Sequence, residues 1–149
     1  MSGETGDPEV GSGFVQQILT VAETAGAQVA VPMLQSMVQK KVIRLLNEHD
    51  PEELQERIEV QYPLVQEDLD DNIKQALGRV GPQFEDQIKS TVNPEGVMYW
   101  MRNPEEYIDA DDEEIEQIRE CAEIIDETPG GDRWLMMQVI TLWEIAGIA

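Results

Sequence analysis

Hydrophobic and polar positions alternate along this chain with a helical period almost throughout. Phe14, Ile18, Val21, Ala22 and Ala25 recur at spacings of three and four. The pattern breaks or re-enters at Pro32 and continues through Met33, Met37, Lys41 and Leu45. Two helices are expected there. Val65, Leu69, Ile73, Ala76, Leu77 and Val80 form a second stripe, with Glu67, Asp68, Asp70 and Asp71 early and Lys74 and Arg79 late. That charge order suits the helix dipole, so one helix is expected over 64–80, stopped by Gly81-Pro82. Ile115, Ile118, Ala122 and Ile125 predict another over 111–127, ended by Thr128-Pro129-Gly130-Gly131.

Helix starts are marked by local chemistry. Asp50-Pro51-Glu52-Glu53, Asn93-Pro94-Glu95 and Asn103-Pro104-Glu105-Glu106 each place a capping side chain before a proline at the first helical position, followed by acids. Their spacings of 43 and 10 residues differ and their flanks do not match, so they are caps and not an internal repeat. Ile58, Val60 and Tyr62 alternate as a strand would, yet Leu54, Ile58 and Tyr62 lie four apart. The preceding cap favours a helix, broken at Pro63, and no second strand presents itself as a partner. The expected architecture is a single all-α domain over 14–149 with about five to seven helices. A flexible or partner-held arm, rich in glycine and acid, would precede it over 1–13.

Charge adds to this picture. The chain of 149 residues holds 31 Asp and Glu against 10 Lys and Arg, a formal net charge of −21. A specific nucleic-acid partner is not expected, because phosphate contacts need basic side chains that this field of carboxylates would outweigh. An anionic membrane surface is disfavoured for the same reason. A membrane span is not expected either. Gln16, Gln17, Glu23, Gln28, Gln35 and Gln39 punctuate the least charged segment, and no run reaches the roughly 18 apolar residues a span requires. Such an acid excess is most economically tolerated where salt screens it, as in the cytoplasm of a halophilic archaeon or in a virus of one. Bulk cations would then be its counterions. Residues 1–9 contain Glu4, Asp7 and Glu9 and no base, unlike a secretory signal.

Candidate chemistry is sparse. His49 is the single histidine, which rules out metal sites built on two or more imidazoles, and it reads as a helix-end residue. Cys121 is the single cysteine and forms no intramolecular disulfide. Glu120 and Glu123 beside it oppose thiolate formation, so it reads as structural. Residues 105–127 carry twelve acids and one base, Arg119. Asp109, Asp111, Glu113 and Glu120 fall at calcium-loop positions 1, 3, 5 and 12, but Glu114 stands where the loop needs glycine and Glu116 where it needs an apolar residue. A solvated helix face is the expected reading. Gly3-Glu4-Thr5-Gly6 and Gly11-Ser12-Gly13 lack the lysine and preceding strand of a phosphate loop, so no cofactor is expected. Lys40, Lys41 and Arg44 are expected to pair with the protein's own acids.

What remains is assembly. From Trp134 to Ala149 the only charged residue is Glu144, and apolar side chains surround the expected helix on nearly every side. Such a helix is either central to the core or covered by a subunit or partner. Intra- or intersubunit contacts are expected at Phe14, Ile18, Val21, Met33, Met37, Trp134, Met137, Ile140 and Trp143. Val97, Trp100 and Met101 share one helix face and are expected in the core.

The sequence thus leads to the expectation of a non-enzymatic structural protein of a halophilic system. It would form homo-oligomers and bind other structural proteins. The head-to-tail connecting ring of a tailed virus is the specific form expected, by analogy of architecture. Its place would be a virion or a halophile's cytoplasm. Two alternatives stand beside it: a partner-binding or regulatory helical protein of a halophilic archaeon, and an enzyme using clustered carboxylates and a divalent cation.

Overall fold

In the computed structural model, which describes residues 12–48 and 50–149, the chain is all-helical. The side chains of Ser12, Phe14, Val15 and Ala27 and all of His49 lie outside the description, as do residues 1–11. The arm expected over 1–13 therefore lies outside it too, apart from Ser12 and Gly13, which already belong to the first helix.

Nine α-helical segments are present among the described residues: α1 (Ser12–Thr24), α2 (Ala27–Asn47), α3 (Pro51–Glu59), α4 (Leu64–Asp68), α5 (Asp71–Val80), α6 (Glu85–Thr91), α7 (Pro94–Arg102), α8 (Asp112–Glu127) and α9 (Gly131–Ile145). Tight 3-10 turns occupy Gly81–Phe84 and Pro104–Glu106. The pieces outnumber the five to seven expected because the chain is cut at points where the hydrophobic stripe runs on uninterrupted.

The clearest such cut is at Leu69. Its backbone is extended at φ −72°, ψ 138°, and Asp70 then accepts the N–H of Asn72 at 2.8 Å to start a new helix. The helix expected over 64–80 is thus two. Leu69 is buried all the same, which is why periodicity misses the break. The helix stops at Gly81-Pro82 as expected, and the chain passes through a 3-10 turn directly into α6. Gly81 is required there: a Cβ would lie 2.7 Å from the carbonyl oxygen of Ala146.

Near the amino end the break falls at Gly26, not at Pro32. Gly26 has φ 96°, a left-handed value open to glycine, whereas Pro32 sits exposed within the first turns of α2. The resulting 21-residue α2 is the central element, packed against α1, α5, α7 and α8. Ala30, Leu34, Met37, Val38, Ile43 and Leu45 are buried along it.

The caps form as local chemistry dictates. Asp50 and Glu53 close a reciprocal capping box at 2.9 and 3.2 Å. Asn93 accepts the N–H of Gly96 at 2.8 Å, and Asp111 accepts that of Glu114 at 2.8 Å. Asn103 does otherwise. Its side chain caps no N–H, donating only to the Tyr99 carbonyl at 3.1 Å, and the three-residue turn Pro104–Glu106 follows. The α3 to α4 connection turns at Gln61, whose φ of 55° is uncommon for a side-chain-bearing residue. Its amide offsets that cost by donating to Ile58 O at 2.8 Å and Gly130 O at 3.3 Å.

Candidate functional site

An open cleft of about 530 Å³ lies where α7, the end of α8 and the start of α9 meet. Spacing along the helices explains its lining. Glu95, Met98, Tyr99 and Arg102 recur every three or four residues on one flank of α7, while Val97, Trp100 and Met101 turn into the core. On α9 the residues Asp132, Leu135 and Met136 do the same, with Ile125 and Asp126 from α8 between them. The α8 to α9 turn holds these elements close. Gly130 adopts φ 87°, and a Cβ on Gly131 would collide with the Ile125 carbonyl oxygen.

The floor is apolar and the rim is mostly acidic. Tyr99 is 49% exposed and Met136 41%, and Ile140, one turn further along α9, is 39% exposed, which extends the apolar strip beyond the cleft. Arg102 approaches Asp126 at 3.8 Å on the surface. Glu95 and Asp132 are exposed and engage in no ion pair among the described residues. The Tyr99 hydroxyl donates to Glu106 at 2.9 Å, and this hydrogen bond, followed by the charge of Glu106, raises the phenol above its ordinary value. Tyr107 meets Tyr99 and Trp100 edge-on, each at 6.4 Å between ring centres.

One basic residue organises this end of the protein. Arg119, the single base among twelve acids, donates from Nε to the carbonyl of Arg102 at 3.1 Å. Its Nη2 donates to both carboxylate oxygens of Glu105 at 3.0 Å. It thereby satisfies an open carbonyl at the end of α7 and ties the following turn to α8. The acids around it are arranged as a helix face: Asp111 caps α8, and Glu113, Glu116, Glu120 and Glu123 are exposed along it. No three His, Cys, Asp or Glu side chains converge as metal ligands among the described residues.

The residues expected at interfaces divide in their placement. Ile18, Met37 and Trp134 are wholly buried within the chain, while Val21, Met33, Met137 and Trp143 are partly buried against the core. Trp134 donates to the Tyr62 carbonyl at 2.8 Å and Trp143 to that of Val92 at 2.8 Å, so both indoles are fixed by internal bonds. Ile140 is the large exposed member of the set. The side chain of Phe14 and the whole of His49 lie outside the described residues. Cys121 is completely buried, and burial, reinforced by Glu120 and Asp50, pushes its thiol up to about 11. It is no nucleophile at neutral pH.

Sequence reasoning missed Tyr99, Met136 and Gln138. The signal for the first was available, because the stripe Val97, Trp100 and Met101 leaves Met98 and Tyr99 on the outer flank. Arg44 does pair with an acid of the chain, Glu114 at 3.1 Å. No helix among the described residues is long and apolar enough to cross a membrane. No protein-family model matches the chain, and neither a curated protein nor a solved structure shows significant similarity to it.

Proposed function

We propose that this protein is a non-enzymatic assembly component that works by docking to other protein chains in a salt-rich setting. The observation that carries the reading is the apolar strip of Tyr99, Met136 and Ile140, continuous with the cleft between α7 and α9. Large exposed side chains of this kind, grouped and bordered by charge, are what protein contact surfaces require. The carboxylate excess supports the salt-rich setting, because 31 acids against 10 bases leave most carboxylates with no basic partner and only counterions to screen them.

In its finer form the reading is a ring-forming head-to-tail connector of a tailed virus of a halophile, held together by contacts between copies and with neighbouring virion proteins. A small helical body suits that role by architecture alone. The second reading, a partner-binding protein of a halophilic cell, is favoured by the openness of the cleft, which a partner helix could enter. Light scattering behind a sizing column in molar KCl separates them. A mass many times 16.8 kDa supports a ring. A mass of one chain overturns self-assembly in isolation and leaves docking to a different partner.

A further inference from the structure

We infer that the cleft between α7 and α9 receives an amphipathic helix of a partner protein, one that presents apolar anchors flanked by lysine or arginine. This rests on the reading of the protein as one that works by docking. The volume, about 530 Å³, lies in the range that holds a small set of large side chains. The floor is built from Met98, Tyr99, Leu135 and Met136, and methionine adapts its shape to whichever apolar anchor enters. The described residues contain no strand, so there is no sheet edge to which an extended segment could add. A helix lying between helices, with anchors at i and i+4, is the mode this surface accommodates.

Charge selects the occupant. Glu95 and Asp132 stand at the rim on α7 and α9 with no ion-pair partner among the described residues, and Asp126 faces only the loosely placed Arg102. A second copy docking by this same face would bring its own Glu95, Asp126 and Asp132 into contact with these carboxylates. Lysine or arginine one turn from each anchor would instead meet them at contact distance, where screening by salt is least effective.

The test uses the full chain in molar KCl and three synthetic helical peptides titrated calorimetrically. One has leucine anchors at i, i+4 and i+7 with lysine flanks. The second has the same anchors with glutamate flanks, and the third has the first one's composition in shuffled order. The lysine peptide is expected to bind with one-to-one stoichiometry, and Met136→Asp to weaken it by about tenfold or more while Met136→Leu retains it. Replacing Glu95 by Gln and Asp132 by Asn together should weaken it several-fold, whereas Glu52→Gln on α3 should leave it unchanged. Circular dichroism on each variant separates lost binding from lost folding. Equal binding of the shuffled or glutamate peptide, or binding indifferent to Met136→Asp, overturns the inference. If Met136→Asp instead dissolves a self-assembled species seen by light scattering, a second copy fills the cleft. The docking reading then stands while this inference falls. If no peptide binds and the protein is a single chain, both fall.

Discussion

The side-chain oxygen of Gln138 accepts the backbone N–H of Val65 at 2.9 Å, joining the middle of α9 to the first turn of α4 across 73 positions. Val65 is among the first residues of its helix, where the N–H groups have no partner within the helix. Pro63, which precedes α4, supplies no side-chain cap. The same amide donates to the Tyr62 carbonyl at 3.1 Å, beside the indole of Trp134. A buried glutamine of one helix is thus the distant cap of another.

Replacing Gln138 by Leu should therefore destabilise the protein although it makes the core more apolar. The Val65 N–H would remain buried without an acceptor, at about 1–3 kcal/mol. Denaturant unfolding in molar KCl measures the loss, and an unchanged or raised midpoint would show that this bond is dispensable.

Asp70 is the residue that divides one hydrophobic stripe into two helices. Asp70→Ala removes the acceptor for the Asn72 N–H and should cost about 1 kcal/mol. Asp70→Asn, which keeps an acceptor oxygen, should recover most of it. An unchanged stability in Asp70→Ala would mean that the bend at Leu69 is imposed by packing alone.

Cys121 should respond to alkali. Its folded value lies near 11 against an ordinary value of 9.0. The folded state therefore keeps a proton that the unfolded state has released. Stability from this group is intact below pH 9, falls as pH rises from 9 and is fully lost past 11, by about 2–3 kcal/mol. Tyr62, Tyr99 and Tyr107 are also raised and add losses of the same sign above pH 10. Comparing pH profiles of the native chain and Cys121→Ala isolates the thiol. At neutral pH a thiol reagent should label Cys121 only after unfolding; rapid labelling of the folded protein contradicts its burial.

Transfer from molar KCl to dilute buffer should lower Tm. The surface ion pairs are few and exposed, Arg102 with Asp126 at 3.8 Å among them, and contribute little against repulsion among 31 acids. As the Debye length grows from about 3 Å to about 10 Å, that repulsion returns. A fall of about 3 °C or more, on the order of 1 kcal/mol, is expected by calorimetry. A constant Tm would remove the basis for the salt-rich setting.

Much of the fold is legible in short stretches of sequence because its causes are short-range. Asp50, Asn93 and Asp111 cap helices through bonds to residues three positions away. The stripe Ile115, Ile118, Ala122 and Ile125 turns inward whatever it packs against. Asn103 carries the same local signature as Asn93, and both amides donate to the carbonyl four residues back. Yet the Asn103 side chain accepts no N–H of the next turn, and the signature produces only a turn. The break falls at Gly26 because its positive φ leaves the helical region, whereas Pro32 lies inside α2, which runs on through it.

The sequence by itself determined the all-helical class, most helix starts, the inward faces of α5, α7 and α8, and the carboxylate-rich surface. These follow from hydrophobic period, capping chemistry and net charge, each readable within a few turns or from composition. Tertiary structure decided the burial of Gln138, and it placed Trp134 in the core rather than on a surface. It also made a cleft from Tyr99 and Met136. Those outcomes depend on bonds and packing between residues tens of positions apart, whose partners no local pattern specifies.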